Sequence, residues 1–109
     1  MSFLPEELKD RLIEAGEKWA DLSAAAEVKR AHVKNLRASL INKLVVSGTA
    51  VNKAEYTAQS DEDVRKLTEE AIEAERLATK AKVRYDTGRA YTELLRSKES
   101  TMREQMKLR

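Results

Sequence analysis

The single histidine, His32, is the first place to look for proton transfer or metal binding. Either task needs partners at a set distance. Glu27, Lys29 and Asn35 do not form a ligand set at helical spacing, and the chain has no second His and no Cys. His32 therefore reads as a surface or interface-edge residue. Glu69, Glu70 and Glu73 place two carboxylates at i, i+4 and, with Asp61, Glu62 and Asp63, make an acidic block. A carboxylate metal site in a helical bundle uses Glu-x-x-His motifs, which are absent, so the block reads as a solvated acidic face. Gly16, Gly48 and Gly88 are isolated and build no phosphate-cradling loop. Ser23, Ser39, Ser47 and Ser60 have no triad context. No catalytic residue, metal site or cofactor is expected, and the chain reads as non-enzymatic.

Basic residues offer a different chemistry. Lys29, Arg30, Lys34 and Arg37 form one cluster, while Lys80, Lys82, Arg84, Arg89, Arg96, Lys98, Arg103, Lys107 and Arg109 spread along the C-terminal third. Such a density could neutralise phosphates. The candidate nucleic-acid contacts are Lys29, Arg30, Lys34, Arg37, Arg89, Arg96, Lys98 and Arg103. Against this, Glu93, Glu99 and Glu104 alternate with the later basic residues, and few aromatics are present to stack on single-stranded bases. Binding to nucleic acid is thus an alternative rather than the first expectation.

The elements that must carry these side chains are long helices. From Leu8 to Lys43, alternating steps of four and three residues meet Leu8, Leu12, Ala15, Trp19, Leu22, Ala26, Lys29, Val33, Leu36, Leu40 and Lys43. A step averaging 3.5 residues keeps one stripe turned toward one neighbouring helix. Pro5 suits a first helical turn, and Glu6 and Glu7 suit its positive end. Ser47 and Gly48 suit its stop. The first helix is expected over about 5–46. Residues 47–60 read as a connector with a short helix that Thr49 could cap, over Ala50 to Ala58. The second long helix is expected over about 61–106, with Ser60 as its N-cap ahead of three acidic residues. Its seam runs through Val64, Leu67, Ala71, Ala74, Ala78, Ala81, Tyr85, Gly88, Thr92 and Leu95. Large residues on one seam and small ones on the other are complements for close packing. Trp19 reads as a core anchor, and Tyr85 as a seam residue. Lys29 and Lys43, which interrupt the first seam, read as setting register against the acidic block.

Charge indicates the orientation. Residues 1–26, 27–53, 54–79 and 80–109 carry −3, +5, −5 and +5, which add to the net charge of +2. Folding the chain back on itself sets opposite charges side by side; a parallel arrangement sets like charges together. The expected fold is therefore all-α, a long antiparallel two-helix hairpin of coiled-coil type, making one domain over residues 1–109.

With 109 residues, 37% charged and 5% aromatic, such a hairpin has one internal interface and little core. A second, weaker stripe lies outside the seam: Ile13, Ala20, Ala24, Ala31, Ala38, Ile41 and Val45 on the first helix, and Ile72, Thr79, Val83, Ala90 and Leu94 on the second. Tyr91 reads as exposed or at this interface. Apolar groups beyond the seam point to another interface, with Ile13, Ile41, Val45, Ile72, Val83 and Leu94 as the candidate contacts. The expectation is a homo-oligomer, a dimeric four-helix bundle or a higher assembly, that serves as an interaction or scaffold protein. The absence of Cys fits a reducing compartment. Met1 to Asp10 has no basic region followed by an apolar run, and no window approaches a membrane span, so a soluble, cytoplasmic protein with no membrane partner is expected.

Two stretches carry a family resemblance: Ser47-Gly48-Thr49 with Ala58-Gln59-Ser60-Asp61, and the run from Leu94-Leu95-Arg96-Ser97-Lys98-Glu99 to Arg109. Within long charged helices, they resemble small helical proteins of tailed bacteriophages and prophages, some encoded near single-strand annealing or recombination genes. The resemblance covers about the last two thirds of the chain and carries no activity with it. It implies a phage or prophage accessory protein in the bacterial cytoplasm, with assistance to phage recombination or replication as the DNA-binding alternative. The secreted WXG-type hairpins share size and shape, but here Trp19-Ala20-Asp21 lies inside a helix, where that family has Trp-x-Gly at the turn.

Overall fold

The structure is a computed structural model that describes residues 5–108. It is all-α, with three helices: α1 (Pro5–Val46), α2 (Val51–Gln59) and α3 (Glu62–Lys107). No strand occurs among the described residues. The chain divides into two compact units. One joins Met1–Ala20 to Thr79–Arg109, and the other is the continuous segment Asp21–Ala78. Each unit pairs a piece of α1 with a piece of α3.

In the continuous unit, α1 stops where Gly48 takes φ +100°, a left-handed conformation that costs glycine little. Thr49 N–H donates to the Leu44 carbonyl at 2.9 Å and Gly48 N–H to the Val45 carbonyl at 3.0 Å, so carbonyls that the helix end would leave bare are satisfied. Thr49 does not cap α2. The N-cap is Ala50, with φ −60° and ψ 144°, and no side chain bonds there. Burial holds this short helix instead: Ala54 and Ala58, one turn apart, are 0% and 1% exposed.

Ser60 also differs from its expected part. It closes α2, its hydroxyl donating to the Tyr56 carbonyl at 3.0 Å. The cap of α3 is Asp61, whose Oδ2 accepts from the Asp63 and Val64 N–H groups at 3.0 and 3.2 Å. A carboxylate can satisfy two of the bare N–H groups and also meets the positive helix end. Asp61→Ala should therefore cost about 1 kcal/mol in urea unfolding, and Ser60→Ala less.

The core of the continuous unit is small. Its buried apolar residues are Ala26, Ala54, Ala58, Val64, Ala71 and Ala78. Leu22, Val33, Leu36, Leu40 and Leu67 are half-buried around them. Toward the end of α1 the covered positions are Leu40, Ile41 and Leu44, while Lys43 is exposed. The seam expected at Lys43 has moved by one residue, because a straight α-helix drifts away from a strict 3.5-residue repeat.

In the other unit, Trp19 and Tyr85 stack at 5.4 Å between centroids with a 32° tilt. A Cβ added to Gly16 would stand 3.2 Å from the Tyr85 ring, and one added to Gly88 would stand 3.4 Å from Leu12. Gly16 is thus where the Tyr85 ring lies against the α1 backbone. As the chain rises from Leu12 to Trp19, its partners fall from Gly88 to Tyr85, so the two segments are antiparallel. Thr92 sits half-buried on this seam without an unsatisfied hydroxyl, because its Oγ1 donates to the Gly88 carbonyl at 2.9 Å.

Candidate interaction surfaces

In the continuous unit, the basic cluster of α1 faces the acidic block of α3. Lys29 Nζ lies 3.3 Å from Glu70, and Arg30 bonds Glu75. Lys29 is half-buried on the seam, as its place in the repeat implies. These pairs are partly exposed, so each contributes under about 1 kcal/mol. Their effect is on register and on availability: two of the candidate nucleic-acid contacts are turned toward carboxylates. Lys34 and Arg37 are exposed, Arg37 on the rim of an open groove with Val33, Gln59 and Val64. His32 is exposed.

The acidic residues Glu69, Glu70 and Glu73 border an open groove with Lys29, Lys66 and Leu77. Glu73 is engaged within α3, where Arg76 donates to it at 2.6 and 3.0 Å. These bonds hold the Glu73 carboxyl below its ordinary value and raise the Arg76 guanidinium. The pair's contribution is present above the ordinary glutamate range and is lost as pH falls through the lowered value. Among the described residues, no group of three or more His, Cys, Asp or Glu is placed to hold a metal ion.

In the other unit the candidate contacts Arg89, Arg96, Lys98 and Arg103 are all exposed. Arg89 approaches Glu93 of its own helix at 3.9 Å. Lys82 leans over the Trp19 ring at 5.9 Å, so the indole also serves as a platform for a cation. Arg11, Glu14, Lys18 and Arg84 border a shallow groove. Arg109 lies outside the described residues.

Neither a family model, nor a curated protein, nor a solved structure matches the chain.

Of the six residues expected at an oligomer interface, Ile13, Val45, Ile72, Val83 and Leu94 are exposed. Ile41 is half-buried and belongs with the covered face of α1, for the same drift that displaced Lys43. Val46, Val51 and Tyr56, around the turn, are also exposed, at 79%, 54% and 74%. For Val46 the signal in the sequence is the apolar run Leu44-Val45-Val46: a helix can cover one or two of three successive residues but not all. Tyr91 is exposed as well.

No helix among the described residues is long and apolar enough to cross a membrane.

Proposed function

We propose that this chain is a non-enzymatic helical interaction or scaffold protein that works as a homo-oligomer. The observation that carries the reading is the mismatch between what the fold covers and what it leaves open. Among the described residues, the buried apolar ones are six alanines and one valine, whereas Ile13, Ile72, Val83 and Leu94 are about half exposed or more. A small core stabilises a chain weakly, and apolar groups outside it gain by pairing with another copy. The resemblance to small helical proteins of tailed phages and prophages adds a setting, an accessory protein in the bacterial cytoplasm.

Sedimentation velocity over about 1 to 300 µM, a range that spans weak to moderate affinities, tests the reading. A mass that rises to a dimer or beyond is expected. A monomer at every concentration would remove it.

The DNA-binding alternative has lost support in the Asp21–Ala78 unit, where Lys29 and Arg30 already meet Glu70 and Glu75. Titration with single- and double-stranded oligonucleotides should give no saturable binding at about 50 mM salt. Tight binding with a steep salt dependence, weakened by Arg96→Glu, would move the function to nucleic acid.

A further inference from the structure

Between Lys80 and Glu104, the outward side of α3 carries Val83, Thr87, Ala90, Leu94, Ser97 and Thr101, at strict alternating steps of four and three. All six are exposed, Val83 and Leu94 at 58% each. None is charged, in a chain with 37% charged residues. The covered seam of the same unit, through Ala81, Tyr85, Gly88, Thr92 and Leu95, runs on the other side of the helix. The outward stripe thus repeats the geometry of a coiled-coil seam over about 27 Å with no helix of its own unit against it.

The flanks say which occupant fits. Beside the stripe on one edge stand Arg84, Tyr91 and Lys98, seven residues apart; on the other stand Asp86 and Glu93, also seven apart. In a symmetric antiparallel pair each edge meets its own kind, so the register that overlaps the whole stripe would set Arg84 against Lys98 of the second copy and Glu93 against Glu93. In a symmetric parallel pair each edge meets the opposite one, at an offset of five residues. Glu93 then meets Lys98, and Asp86 accepts a hydrogen bond from the Tyr91 hydroxyl, each twice by symmetry. Glu93 is available for this. Among the described residues its one ion pair is a 3.9 Å approach to Arg89, with a side chain 70% exposed.

We propose that two copies of this chain associate through the Val83–Thr101 stripe of α3, side by side and parallel, with Glu93 of each against Lys98 of the other. This rests on the self-association reading and names the surface and orientation that serve it. Thr101 does not oppose the contact, because its hydroxyl donates to the Ser97 carbonyl at 3.0 Å and needs no water.

The chain has no cysteine, so single substitutions report orientation cleanly. Val83→Cys and Thr101→Cys are each equilibrated in a thiol–disulfide buffer, alone and mixed, alongside sedimentation of the unsubstituted protein. Parallel pairing predicts that each variant forms a disulfide dimer with itself and that the mixture adds no crossed product. Charge reversal supplies a second readout: Glu93→Lys should weaken the dimer by about tenfold, roughly the strength of one charge-assisted contact, and adding Lys98→Glu should restore it. A crossed disulfide found only in the mixture would overturn the parallel orientation. A sedimenting dimer that forms no disulfide in any combination would place self-association on another face and overturn this inference alone. A monomer up to about 300 µM would overturn both.

Discussion

Replacing Ala54 with glutamate is expected to destabilise the protein by about 3 kcal/mol or more, the cost of burying a carboxylate without a partner. Ala54 is 0% exposed, and among the described residues there is no buried polar or charged residue to receive the new group. Its neighbour Glu55 is exposed, so Glu55→Ala should stay within about 0.5 kcal/mol. Urea unfolding followed by circular dichroism at fixed protein concentration gives both values, since association changes apparent stability. Proteolysis gives a local check, because an unseated α2 should be cut between Ser47 and Asp61 well below the unfolding midpoint. A loss under about 0.5 kcal/mol for Ala54→Glu would mean that α2 is not seated in solution.

Trp19→Ala should cost about 2 to 3 kcal/mol, below the usual range for a fully buried tryptophan because Trp19 is only half-buried. Two contributions are separable. One is the apolar surface the indole covers; the other is its stacking on Tyr85 at 5.4 Å, worth about 1 kcal/mol beyond area. A double-mutant cycle with Tyr85→Leu isolates the second, with an expected coupling of about 1 kcal/mol. Additive losses would mean that the rings do not meet. Trp19 is the only tryptophan, so in the unsubstituted protein its fluorescence reports on this unit alone. Gly16→Ala should gain less than the roughly 1 kcal/mol that the helix propensity of alanine offers, since the new methyl would stand 3.2 Å from the Tyr85 ring and the ring would have to give way.

Much of the local structure is legible in the residues alone, and the reason is range. Helix periodicity, proline and acidic residues at a helix start, and glycine at a helix stop all act within one or two turns. The expected bounds of about 5–46 and 61–106 accordingly lie within one residue of Pro5–Val46 and Glu62–Lys107. The small residues of the second seam are covered for the same reason: Ala71, Ala78 and Ala81 recur at the spacing that keeps them on one face.

What the residues could not decide depends on contacts between distant segments or on the direction of one side chain. Ser60 and Asp61 are both good caps by type, and the choice fell to Asp61 because Ser60 keeps helical backbone angles at the end of α2, with its hydroxyl on the Tyr56 carbonyl, and Asp61 directly precedes Glu62. Lys29 and Arg30 look alike as phosphate ligands and as ion-pair partners. Their engagement with Glu70 and Glu75 required the register between segments over forty residues apart. The close approach of Gly16 to Tyr85 likewise joins segments far apart in the chain. The sequence by itself determined the helices, their seams and the complementary charges that pair them. Only the tertiary structure decided which charges are paired inside the fold and which apolar residues stay exposed, because burial belongs to the packed arrangement and not to any one segment.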